Sequence, residues 1–179
     1  MKHSIKNALA FTLLLMGILA WAMPAPTQVL SPPARAACKF SDGKMIKVIY
    51  ASPRMRGRKI FGDLVPYGEE WRVGADEATM FETNTDLRMG GKDVPAGRYT
   101  LFALPTPAKW TLILSKKIGE WGIPYPGAQS DFARIEMKVS KLGSPLENFT
   151  ISFDETGQSC ALKLDWETTR AALEMSEKK

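Results

Sequence analysis

The sequence predicts an all-β fold: a single antiparallel β-sandwich or jelly-roll-like domain. Three observations predict it. Strict apolar/polar alternation recurs from Met45 to the last residues, Gly- and Pro-containing breakers separate the runs, and no long stretch carries the period of an amphipathic helix. The 179 residues suit one domain rather than two. A composition of 45% hydrophobic and 24% charged residues excludes wholesale disorder.

The chain opens with a basic head, Lys2, His3 and Lys6, then carries no charge from Asn7 to Ala34. The apolar run Ala8 to Ala22 is short for a membrane span, which needs about 20 residues, and suits a secretory signal peptide. Ala20-Trp21-Ala22 supplies a small-x-small cleavage pattern, so residues 1–22 read as a signal peptide and the protein as exported, periplasmic or secreted. An uncleaved anchor is the alternative and the one route to a membrane. Removal of 1–22 takes two lysines and no acid, and the formal charge falls from +5 to +3. That is too mild for nucleic acid, which asks for a clustered basic face. It also takes His3, the only histidine, and with it any histidine triad, imidazole base or His-ligated metal.

Residues 23–37 hold four prolines among small residues and read as an extended linker, leaving 38–179 as the domain. Met45 to Tyr50 is the first alternating run, with Ile46, Val48 and Tyr50 on one face. Thr79 to Thr83 is the second. Leu87 to Met89 meets Gly90-Gly91, a pair that supplies positive φ for a tight hairpin. Pro95-Ala96-Gly97 makes another turn, followed by Arg98 to Leu104, which Pro105 and Pro107 end. Trp110 to Ser115 is its expected hairpin partner. Ala133 to Val139, then Phe149 to Phe153, then Cys160 to Trp166 alternate cleanly, and Thr169 to Met175 closes the domain. Cys38 and Cys160 are the only thiols, so one intramolecular disulfide is open to them. Closing so long a loop is worth ~5 kcal/mol in the chain-entropy model. Geometry decides between that bond and two free thiols.

Ser52 to Thr79 breaks the pattern, being rich in Gly, Pro, Arg and aromatics without clear alternation; a segment of this kind is often a functional loop. It holds Ser52-Pro53, Gly57-Arg58, Ile60-Phe61-Gly62, Leu64-Val65-Pro66-Tyr67-Gly68, Trp71-Arg72, Gly74-Ala75 and Glu77-Ala78-Thr79. With Pro95-Ala96-Gly97, Tyr99, Leu101, Phe102, Trp110-Thr111 and Ile113, these stretches resemble a bacterial family known as domain of unknown function 2911. The resemblance runs from about Ile46 to Trp166. It implies export and a single domain, and carries over no catalytic residues. The family commonly has Asn where this chain has Asp76, which puts any amide-dependent role there in doubt.

Three constellations can carry chemistry. Arg58, Arg72, Asp76 and Glu77 join two guanidiniums, suited to bidentate anion contacts, with two carboxylates, of which Glu77 is the candidate acid or base and Asp76 or Asp63 its partner. The competing reading is a salt-bridge network that pins the loop. Tyr67, Trp71, Trp110, Trp121 and Tyr125 form an aromatic set that suits flat rings if exposed and core packing if not. Arg54, Arg56, Arg58 and Lys59 make a basic cluster, read either as an anion contact or as a solvated turn. No metal or cofactor is expected: CxxC and calcium-loop spacings are absent.

The leading reading is an exported, non-catalytic binding or structural domain whose candidate ligand residues are Arg58, Tyr67, Trp71, Arg72, Glu77 and Thr79. Its partner would be a small molecule, a glycan or an envelope protein. A hydrolase using Glu77 and Asp76 on a glycan or other envelope substrate is one alternative, and a subunit docking an envelope protein is the other.

Overall fold

The computed structural model describes residues 30–179. The segment read as a signal peptide (1–22) and the first part of the segment read as a proline-rich linker (23–29) lie outside the described residues. The described residues are all-β, in nine antiparallel strands: β1 (Pro33–Lys39), β2 (Met45–Ala51), β3 (Ala75–Thr83), β4 (Leu87–Met89), β5 (Lys92–Val94), β6 (Gly97–Pro105), β7 (Lys109–Ser115), β8 (Asp131–Glu155) and β9 (Ser159–Glu177). They form one continuous sheet in the order β1-β2-β3-β6-β7-β8-β9-β4-β5. β1 takes in Pro33 to Ala37, the end of the stretch read as linker. β3 begins at Ala75, inside the block read as a loop. β8 joins two alternating runs into one strand of 25 residues. Among the described residues no helix is long and apolar enough to cross a membrane.

The sheet folds over on itself. The Cys38–Cys160 disulfide, with Cα atoms 6.2 Å apart, ties β1 to β9. After β2 the chain rejoins β8: Phe149 N donates to Pro53 O (2.9 Å), Met55 N to Glu147 O (2.8 Å), and Ser52 Oγ to Phe149 O (2.6 Å). Ile151 N donates to the Tyr50 hydroxyl (3.0 Å). These bonds satisfy backbone groups that a folded-over sheet would otherwise bury unpaired.

Between the folded halves lies the core. Phe61, Trp71, Trp110, Phe149 and Trp166 pack with ring centroids 4.8 to 6.3 Å apart, mostly edge to face, as their quadrupoles favour. Phe61, Trp110, Phe149 and Trp166 are buried. Gly90 and Gly91 make the β4–β5 hairpin with φ of 52° and 82°, and a side-chain carbon on Gly90 would sit 2.5 Å from Ile135.

The ladder breaks in two places. Ile49 pairs with Met80 but Ala51 with Ala75, so residues 76–79 loop out of β3 opposite Tyr50. In β8 and β9 the partners run Lys141↔Thr169, Leu146↔Glu167 and Thr150↔Asp165, leaving extra residues on β8 where both strands bend. Glu167 sits in that bend with φ 53°. Each break leaves a cavity.

Candidate functional site

The bulge in β3 is held from beneath. Thr79 is fully buried, and its Oγ1 donates to Val73 O at 2.6 Å. That bond ties the bulge to Val73, a β-branched residue held at φ 53°, where such residues are outliers. Asp76 has φ 56°. Asn and Asp are the side chains that adopt this left-handed region most readily, so the backbone accounts for either residue at the position. The left-handed turn also breaks strand alternation, which would send successive side chains to opposite faces. Asp76 and Glu77 instead line the same pocket, and both are exposed.

That pocket, about 400 Å³, is floored by Ile49, Tyr50, Ala51 and Met80, with Trp121 on its wall. The loop before β8 brings Trp121 there. Gly122, at φ 83°, permits the approach, since a side-chain carbon would stand 2.7 Å from Ala78 Cβ and 3.0 Å from Arg72 Cβ. Ala78 N donates to Glu120 O (3.2 Å). The Arg72 guanidinium lies 5.4 Å from the Trp121 ring centroid, a cation–π distance, and its Nη1 donates to Trp121 O (3.1 Å). Partial burial pulls Arg72 below its ordinary pKa and nearby Asp76 opposes that shift; it stays charged. Trp121 is nevertheless 56% exposed. Among the described residues neither Asp76 nor Glu77 makes a side-chain hydrogen bond or ion pair.

The predicted residues therefore divide. Arg72, Asp76 and Glu77 gather around Trp121. Thr79 braces them from the core. Trp71 belongs to the aromatic cluster, with Nε1 donating to Gly74 O (3.1 Å). Arg58 closes its own turn, Nε donating to Met55 O (3.0 Å) and Nη2 to Arg54 O (2.7 Å). Tyr67 is exposed and lines a different pocket, at the bend of β8 and β9. Asp63 is exposed in a turn in which its N–H donates to Ile60 O (3.3 Å). A salt-bridge network does pin a loop, but with other residues. Arg134 Nε donates to Asp131 Oδ2 (2.7 Å), and its Nη2 to Glu70 Oε1 (3.3 Å) and the Tyr125 hydroxyl (3.0 Å), while that hydroxyl donates to Asp131. Burial first, then the bond to Asp131, pushes Tyr125 up to about 12. Arg134, despite burial, is raised by its bonds to Asp131, Tyr125 and Glu70.

Another cavity, of about 730 Å³, is lined by Asp42, Arg88 and Lys178 among others. Most of its charges are paired: Lys44 holds Asp42 at 2.7 Å, and Asp93 holds Arg88 (2.7 Å) and Lys178 (2.9 Å). Among the described residues no group of three or more His, Cys, Asp or Glu side chains is placed to hold a metal ion.

A family model described as a protein of unknown function (DUF2911) matches residues 31–175. No curated protein and no solved structure matches the chain.

Proposed function

We propose that this chain, which belongs to the DUF2911 family, is an exported, non-catalytic binding domain with its ligand site at the Trp121 pocket. The observation that carries this reading is the pairing of an apolar floor with two exposed carboxylates, neither in a hydrogen bond or ion pair among the described residues, beside an exposed tryptophan. Ion-paired acids serve a fold; Asp76 and Glu77 are presented to solvent next to surface that water hydrates poorly. An apolar body carrying a positive charge satisfies both features, with cation–π attraction to Trp121 adding to the pull of the carboxylates. Export is supported by the signal-like N-terminus and by the disulfide, which persists in oxidising compartments.

The test follows tryptophan fluorescence while benzyltrimethylammonium is titrated against benzyl alcohol. The cation is expected to give a saturable change that the alcohol does not, lost in Trp121→Ala and weakened in Asp76→Asn/Glu77→Gln. An equal response in Trp121→Ala, or from the alcohol, refutes the reading.

A further inference from the structure

The second pocket lies where β8 and β9 bend, and encloses about 440 Å³ over the aromatic cluster, with Phe61 and Trp110 in its floor. Trp110 is 1% exposed. The indole N–H groups of Trp71 and Trp166 donate to Gly74 O (3.1 Å) and Glu147 O (3.2 Å). That of Trp110 has no acceptor among the described residues. Yet no fully buried side-chain nitrogen or oxygen there lacks a partner. With no acceptor among the described residues and no fully buried orphan, the Trp110 N–H keeps a little accessible surface, and Trp110 lines this pocket. A donor with so little accessible surface is poorly solvated, and a ligand oxygen in the pocket could accept from it.

The rim supplies more of the same chemistry. Lys59 and Lys141 stand at its edge, and among the described residues neither makes an ion pair. The side-chain hydroxyls of Ser140, Thr168 and Thr169 carry no hydrogen bond among the described residues, and Tyr67 offers its ring and phenol. The single carboxylate, Glu167, has Oε1 3.5 Å from Ile60 N, turned toward backbone. Two ammoniums and an indole N–H face a single carboxylate, and the hydroxyls can donate or accept; such a lining suits an oxyanion on a hydroxyl-bearing ligand. Tyr67 and the aromatic floor suit a ring.

We infer that this pocket binds a sugar-sized ring bearing an oxyanion, supplied either by a uronic acid or by a sugar phosphate. Trp110 Nε1 would donate to the ring or its anionic group, Lys59 and Lys141 would neutralise it, and Tyr67 would pack against it. The site is independent of the Trp121 pocket, with which it shares no lining residue.

The experiment records nitrogen–proton spectra of the labelled protein, with the Trp110 indole resonance assigned through its own backbone. The probes are D-glucuronate, D-glucose 6-phosphate, D-glucose and inorganic phosphate. At least one of the two acidic sugars is expected to move that resonance saturably, and neutral glucose is not. A response to glucuronate alone identifies the carboxylate, and to glucose 6-phosphate alone the phosphate. Lys59→Gln/Lys141→Gln changes only exposed side chains, so it keeps the fold, and it should weaken binding about tenfold or more, the loss of one charge-assisted bond or more. Glu77→Gln should leave this titration unchanged, which separates it from the test of the Trp121 pocket. Silence of the Trp110 resonance toward both acids, unimpaired binding in the lysine variant, or inorganic phosphate binding as well as the sugar acids would each overturn the inference.

Discussion

The Trp121 pocket and the Trp110 pocket both form where the ladder breaks, but their foundations differ. The first rests on a bulge of β3 and a loop drawn against it by Gly122, Arg72 and the Arg134 network. The second rests on the aromatic core, beneath a bend shared by two long strands. Their polar groups have opposite sign, carboxylates in one and ammoniums in the other. A break in a β-sheet supplies a cavity and unpaired backbone direction; the few residues carried by the break decide what the cavity attracts. Foundations can be tested separately from charges.

The strongest way to break the comparison is to remove a residue that supports the floor of one pocket. Trp166 is 1% exposed, stacks on Trp71 at 6.0 Å and packs edge-on against Phe61. Trp166→Ala is expected to cost about 3–5 kcal/mol, lowering the thermal midpoint by roughly 10 °C for a chain of this size. Below that midpoint the Trp110 resonance should broaden or move, while the response of Trp121 to cations stays near that of the native protein. Equal damage at both sites would mean that the pockets share one foundation.

A smaller effect tests the loop. Tyr125 titrates at about 12 in the folded protein, held there by burial and by its bond to Asp131, and at about 10 in an unfolded chain. Between those values the unfolded state has lost the phenol proton and the folded state keeps it. Stability from this group is thus full below pH ~10 and falls as pH rises toward 12. Tyr50 and Tyr99 are raised in the same direction, chiefly by burial, so the native slope has several sources. Tyr125→Phe should flatten the fall in midpoint between those pH values relative to the native protein, and identical slopes would remove the network from the account of the loop.

Strands were legible in the sequence because burial on one face imposes alternation, and Gly90-Gly91 announced its hairpin through backbone freedom that only glycine has. The path of β8 between Val139 and Phe149 was not legible. Its alternation is interrupted by two register shifts, at which extra residues of β8 face fewer residues of β9. At the candidate site, Arg72, Asp76 and Glu77 were readable, with Arg58, as a charged group in an irregular block, open between a ligand or catalytic site and a salt-bridge network. Their meeting with Trp121 was not, since it depends on a loop more than forty residues away. The Glu70–Arg134 pair spans 64 positions, and no spacing rule connects them. Trp110, read as part of an aromatic set that binds rings if exposed and packs in the core if not, is core; that its N–H has no partner among the described residues shows only once Trp71 and Trp166 are seen to spend theirs.

The smallest expected effect is the most decisive for the Trp121 pocket. Glu77→Gln keeps the shape of the side chain and removes its charge. Among the described residues Glu77 holds no partner, so its loss should move the thermal midpoint by no more than the scatter of a surface substitution, within about 0.5 kcal/mol. If the charge is there for a ligand, binding of benzyltrimethylammonium should weaken several-fold at low salt, and the difference should shrink as salt screens the remaining attraction. A midpoint lowered by about 1–2 kcal/mol would instead give Glu77 a structural task, and the contrast between a carboxylate site and a lysine site would then rest on Asp76 alone. Stability and affinity measured on the same variant separate these cases, because a charge that helps only the fold changes the first, and a charge that waits for a partner changes the second.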